Sequence, residues 1–123
     1  MLSQDTLSKR IVQGPNNEPG LHAPRLVFKA WTGGGISSPI MAGDTIIVGA
    51  YDAKVHMYHI AYTPAAANAA GALKSRDGHW WKVKIREKAT FSGGGSYEST
   101  PVLWNGRVYI GARNGYYYCL GDR

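Results

Sequence analysis

The residues able to do chemistry are few and scattered. His56 and His59 lie three positions apart in a strand-like run, where successive side chains alternate between faces, so the two rings point to opposite sides and cannot jointly grip a metal ion. Each reads as a structural histidine. Glu98 has no second carboxylate at a fixed spacing, which leaves paired acid/base chemistry without support. Gly33-Gly34-Gly35 and Gly93-Gly94-Gly95 share only glycine content with phosphate-cradling loops: no lysine follows them, and no helical pattern supplies an N-terminal dipole. Tight turns are the better reading. Cys119 is the only cysteine, so neither an internal disulfide nor a multi-cysteine metal site can form. Lying between Tyr118 and Leu120, it is expected to be a buried packing thiol. No catalytic, cofactor-binding or metal-binding residue is assigned.

Binding chemistry is better represented. In His79–Arg86 (HWWKVKIR), Trp81, Val83 and Ile85 alternate with Lys82, Lys84 and Arg86, which describes a half-buried strand with a basic face. Lys88 extends that face and Trp80 adjoins it; with the net charge of +6 this invites a single-stranded nucleic-acid partner, held by phosphate contacts and stacking. The plainer reading is a solvated outer edge, on which lysines discourage unwanted pairing. Nucleic acid is therefore the lesser expectation, and protein or glycan partners at turn loops the greater. Those loops are Ala42–Asp44, Tyr51–Ala53, Tyr97-Glu98 and Arg113-Asn114. The expected interaction surface comprises Lys82, Lys84, Arg86, Tyr97, Glu98 and Arg113.

These residues are positioned by a repeated strand pattern. Thr100–Leu120 (TPVLWNGRVYIGARNGYYYCL) holds strand-forming runs split by Asn105-Gly106 and Asn114-Gly115, and predicts a three-stranded antiparallel meander. A shift of 62 positions lays Ser38–Tyr58 onto it without a gap: Pro39 falls on Pro101, Gly49-Ala50 on Gly111-Ala112, and Asp52 on Asn114. The glycine runs match at an offset of 60, which implies two residues inserted between glycines and Ser/Thr-Pro. One such sheet cannot bury both faces, and recurrence of this kind points to a propeller-type stack.

The repeats resemble the blades of the PQQ-like β-propeller family, whose pattern runs S-P-x-x-x-x-G-x-x-Y-x-G-x-x-D-G-x-x-Y-A-L-D. Thr100-Pro101, Gly106, Tyr109, Gly111, Asn114-Gly115 and Leu120 occupy its positions; in the first repeat Ala53 replaces the turn glycine and Tyr58-His59 the L-D pair. The resemblance implies an all-β fold of antiparallel β-meander blades, here two repeats of a partial β-propeller, and a periplasmic or extracellular setting. It extends to quinoprotein dehydrogenases, but the A-x-D-x-x-x-G-x-x-x-W docking motif fits neither Ala50–Tyr58 nor Arg76–Trp80. No enzyme activity and no cofactor are expected; a non-catalytic binding or scaffold module is.

Residues 1–24 read as a linker or arm, with one short strand possible within Ser8–Gln13. Residues 25–123 hold the repeats, about 26–86 and 91–123, with a surface insertion at 61–78 of at most one helical turn. Leu26–Trp31 is strand-like, in the place of the outer strand of a preceding blade, while the second repeat lacks a fourth strand. The partners expected are therefore other blades, either of a longer propeller or of other copies closing a ring. The apolar run Thr45–Tyr51 is far shorter than the roughly 20 residues of a spanning helix, and the polar Ser3-Gln4-Asp5 after Met1 gives no secretory signal core.

Overall fold

Turn residues divide the chain into short strands. The computed structural model describes Ile11, Val12, Asn16, Leu21, His22 and residues 26–121, and among these residues there is no helix. The architecture is all-β with antiparallel, curled sheets. Contacts divide the chain into two compact units, Met1–Lys29 with Tyr62–Lys84 and Ala30–Ala61 with Ile85–Arg123.

In the first unit, β1 (Ile11–Val12) pairs antiparallel with β2 (Leu21–His22). The arm's short strand thus falls inside Ser8–Gln13 and pairs with a second one, Leu21–His22, that the composition did not suggest; apart from these four residues and Asn16, the arm lies outside the described residues. β5 (Lys54–Pro64) ends in this unit, and β6 (Leu73–Lys74) pairs with the start of β7 (Trp80–Ser92). The segment 61–78 is therefore not helical: Tyr62, Thr63 and Pro64 continue β5, and Ala65 N donates to Trp80 O at 2.8 Å. The β6–β7 turn is closed by Asp77, which accepts from Ser75 Oγ and from His79 N (3.3 Å). Those bonds, Ser75's foremost, hold the Asp77 carboxyl at a pKa of about 2.

The second unit contains the repeats. β3 (Ile40–Ala42), β4 (Thr45–Gly49) and β5 form one meander within a sheet of order β3-β4-β5-β7-β6; β8 (Val102–Trp104), β9 (Arg107–Gly111) and β10 (Tyr117–Leu120) form the other. Every pair in the second register repeats one found 62 positions earlier in the first. Ile40 faces Ile47 as Val102 faces Tyr109, and Val48 faces His56 as Ile110 faces Tyr118. The second turn repeats too: Lys54 N donates to Asp52 Oδ1 at 3.1 Å, and Tyr116 N to Asn114 Oδ1 at 3.2 Å. At the next position Ala53 takes φ 64° where Gly115 takes 84°, so the first copy carries a side chain in a conformation that disfavours one.

The glycine runs correct the offset of 60. Tyr51 N donates to Gly34 O as Arg113 N donates to Ser96 O, and a Cβ at Gly33 would meet Asp52 as one at Gly95 would meet Asn114. The spacing of 62 therefore holds back to Gly33 and Gly95, with no insertion. The glycine that matters is the one pressed against the turn's Asp or Asn, and the run's remaining glycines carry no register.

Two further expectations are overturned. Leu26–Trp31 is not a strand: Leu26, Val27 and Phe28 are exposed, and Trp31 is 87% exposed. Cys119 is exposed rather than buried, because its parity on β10 puts it on the side of the sheet away from the core.

Candidate interaction surface

Strand pairing assigns each side chain to a face. In the first meander Ile40, Ala42, Ile47, Gly49, Val55 and Met57 share one face. It is covered by the second repeat: Ile47 and Val55 form one buried cluster with Tyr97, Val108 and Ile110, and Tyr118 and Leu120 pack at its margin. Tyr97 is the wedge, fully buried, with its Cβ 2.6 Å from where a Cβ on Gly49 would stand. Its backbone is fixed by Tyr97 N donating to Ala50 O at 3.0 Å.

The equivalent face of the second meander carries Val102, Trp104, Arg107, Tyr109, Gly111, Tyr117 and Cys119. Nothing among the described residues covers it as the second repeat covers the first. Val102 is 53% exposed, Trp104 56% and Tyr117 70%, against 3% for Ile47 on the covered face. Protein contacts are commonly built on exposed apolar and aromatic surface of this kind. Its edge is open too. β5 lies between β4 and β7, whereas β10 has only β9 beside it among the described residues.

The wedge residue has an unusual polar end. Gly93 O accepts from Tyr118 Oη at 2.6 Å and from Asn114 Nδ2 at 2.8 Å, which uses both of its lone pairs. Among the described residues the buried Tyr97 hydroxyl beside it makes no hydrogen bond of good geometry. Burial raises the pKa of that hydroxyl, reinforced by Tyr118, and the Gly93 backbone only partly opposes the shift.

His56 heads a polar cluster. Its Nε2 lies 2.9 Å from Asp52 Oδ2 and its Nδ1 2.7 Å from Glu87 Oε1, while its ring stacks on Tyr58 with centroids 6.0 Å apart. Carboxylates only accept, so both contacts are hydrogen bonds together only when the ring carries both protons. Burial first, then Glu87 and Asp52, raise the pKa of Tyr58. The cluster is the charged counterpart of the second repeat's Asn114–Tyr118 bond (3.0 Å), displaced by the same 62 positions. With both nitrogens engaged, His56 offers no free lone pair to a metal or substrate. His59 is turned the other way, with Nδ1 3.3 Å from Asp44 Oδ2.

The residues expected on the interaction surface divide as follows. Lys82, Lys84 and Arg86 are exposed, while Trp81, Val83 and Ile85 between them are half-buried, as the alternation predicts. Arg86 and Lys88 border an open depression of ≈ 520 Å³ together with His59 and Glu87. Glu98 and Arg113 are joined by an ion pair at 3.1 Å. Tyr97 does not belong with them: its neighbour Glu98 reaches the rim, but Tyr97 itself fills the space over Gly49 and is inaccessible to a partner. Strand alternation puts Trp104, Tyr109 and Tyr117 on one aromatic face, legible in the sequence as a blade interface awaiting a neighbour; the structure adds Val102 to it and leaves Trp104 and Tyr117 exposed, with Tyr109 half-buried. The sequence reading missed the His56 cluster because Glu87 lies 31 positions away.

No protein-family model matches this sequence. Among curated proteins, a stretch of 52 residues is 40% identical to part of the beta-alanine-activating enzyme of Danio rerio, covering 40% of this chain and 4% of that protein. The chain thus spans a small fraction of that relative's length, and what they share is one short segment of a much longer protein.

Proposed function

We propose that this chain is a segment of propeller-type β-repeats that acts as a non-catalytic binding or scaffold module for a protein or glycan partner. The observation that carries the reading is the outer face of β8, β9 and β10. The face equivalent to it on the first meander is buried under a repeat, whereas this one presents Val102, Trp104 and Tyr117 to solvent. Rigid aromatic side chains on a preformed sheet suit recognition, because they bring contact area with little loss of conformational freedom. A non-catalytic role is supported by His56, whose two ring nitrogens are both held by carboxylates. The 52-residue overlap is too short to bring the activity in its relative's name to this chain.

The test uses arrays of immobilised glycans and displayed peptides probed with the whole chain and with Trp104→Ser. Trp104 is exposed, so the variant should keep its fold and lose binding. Equal retention of both proteins on every probe would refute the reading.

A further inference from the structure

We propose that the depression bordered by His59, Arg86, Glu87 and Lys88 binds an anionic sugar, a saccharide unit that carries a sulfate or a carboxylate beside its hydroxyls. The site shares no residue with the outer face of β8, β9 and β10, so it goes beyond the reading of that face and stands or falls without it.

The cations come from one strand. Arg86 and Lys88 are two positions apart on β7, which sends their side chains to the same side, and both are exposed. Neither makes an ion pair among the described residues, whereas Arg113 is neutralised by Glu98 at 3.1 Å. Two unneutralised cations bordering one concavity favour an anion there, and the arginine fork can take two oxygens of a sulfate or carboxylate at once. The depression of ≈ 520 Å³ falls within the range of small-ligand sites, roughly 300–1,000 Å³.

The other two residues narrow the choice. Glu87 Oε1 is occupied by His56 Nδ1 at 2.7 Å, which leaves Oε2 as an acceptor. His59 Nδ1 lies 3.3 Å from Asp44 Oδ2; that contact favours the proton on Nδ1, so Nε2 of the neutral ring is a second acceptor. A ligand that satisfies all four residues therefore brings an anionic group for Arg86 and Lys88 and hydroxyl donors for Glu87 and His59. An anionic sugar holds both on one ring. Inorganic sulfate brings the charge without the donors and meets the Glu87 carboxylate unfavourably. A nucleic-acid strand brings phosphates, but its affinity rests also on base stacking, and the lining holds no aromatic ring besides the His59 imidazole.

NMR titration of the whole isotope-labelled chain tests the site with a sulfated heparin disaccharide, a galacturonic acid disaccharide, cellobiose, sodium sulfate and a thymidine oligonucleotide. At least one of the two anionic disaccharides should shift the signals of His59, Arg86 and Lys88, and the tighter of them identifies the anion. Cellobiose, sulfate and the oligonucleotide, at matched ionic strength, should bind at least about tenfold more weakly. The double variant Arg86→Gln/Lys88→Gln, at exposed positions, should weaken binding of the anionic sugar at least about tenfold. Lys54→Gln removes a charge that lies about 16 Å from His59 along β5, beyond the ~8 Å screening length, and should change that binding less than about twofold. No shift with either anionic disaccharide, equally tight binding of cellobiose, sulfate or the oligonucleotide, or a double variant that binds as well as the wild type would overturn the proposal. Loss of array binding in Trp104→Ser alongside any of these results would leave the reading of the outer face intact.

Discussion

Gly49 and Gly111 occupy the same register position in the two meanders, and alanine at each tests whether the first is covered and the second open. At Gly49 a Cβ would lie 2.6 Å from Tyr97 Cβ and 2.8 Å from Ile110 Cδ1. Ordinary carbon contacts are about 3.5–4.0 Å, so one partner must retreat by about 1 Å. The Ile110 methyl can rotate away. Tyr97 Cβ cannot, because it is rooted in a backbone bonded to Ala50 and its ring is fully buried. Overpacking of this kind costs about 1–3 kcal/mol, against which alanine recovers about 0.5–1 kcal/mol of strand conformational entropy. The expected net loss is about 1–2 kcal/mol. At Gly111 the nearest atoms are the Tyr117 ring at 3.4 Å and Ser99 Oγ at 3.6 Å, so the entropy term stands nearly alone and Gly111→Ala should be neutral or stabilising by up to about 1 kcal/mol. Urea denaturation of each variant in dilute solution reads this as opposite shifts of the midpoint at constant slope. Equal shifts for the two variants would refute the account of which face is covered.

Other consequences are local. Ala53→Gly relieves a left-handed alanine at φ 64° and should stabilise the protein by about 1 kcal/mol, read as a rise of a few degrees in Tm. Tyr97→Phe removes a buried hydroxyl that makes no well-formed hydrogen bond among the described residues and should leave stability at neutral pH unchanged or slightly higher. The pKa values of Tyr97 and Tyr58 are raised, so the native state holds those protons more tightly than the unfolded chain and stability falls as pH rises above 10; Tyr97→Phe should move alkaline unfolding to higher pH. Asp77 is shifted the other way. Its contribution to the β6–β7 turn is complete above the ordinary value of 3.8 and is lost as pH falls through about 2, so its carboxyl should titrate by NMR near that pH and move back upward in Ser75→Ala.

Local chemistry was legible in the sequence wherever a turn or an alternation carries it. Asn105-Gly106, both with positive φ, turns β8 into β9 as its composition predicts, and Val108 and Ile110 face inward while Arg107 and Tyr109 do not. The repeat was visible for the same reason, since Gly49 and Gly111 answer the same requirement. Placement against distant residues was hidden. A run of glycines looks alike at any offset, and only the approach of Gly33 to Asp52 and of Gly95 to Asn114 fixes the true one. Cys119 looked buried because its neighbours are apolar, but apolar neighbours on a strand do not reveal which side is covered. Tyr97 lies in a stretch of glycine and serine that reads as loop, yet it supplies the wedge between the sheets. Glu87 became a partner of His56 only because β7 returns beside β5.

The most direct measurement is the alkylation rate of Cys119, the single thiol, which lies on the outer face of the second sheet. In dilute native solution it should react nearly as fast as in the unfolded chain, and the rate should fall when a bound partner covers the face. A thiol that is protected even in dilute solution would show that the face is already buried within the chain, and would contradict the account.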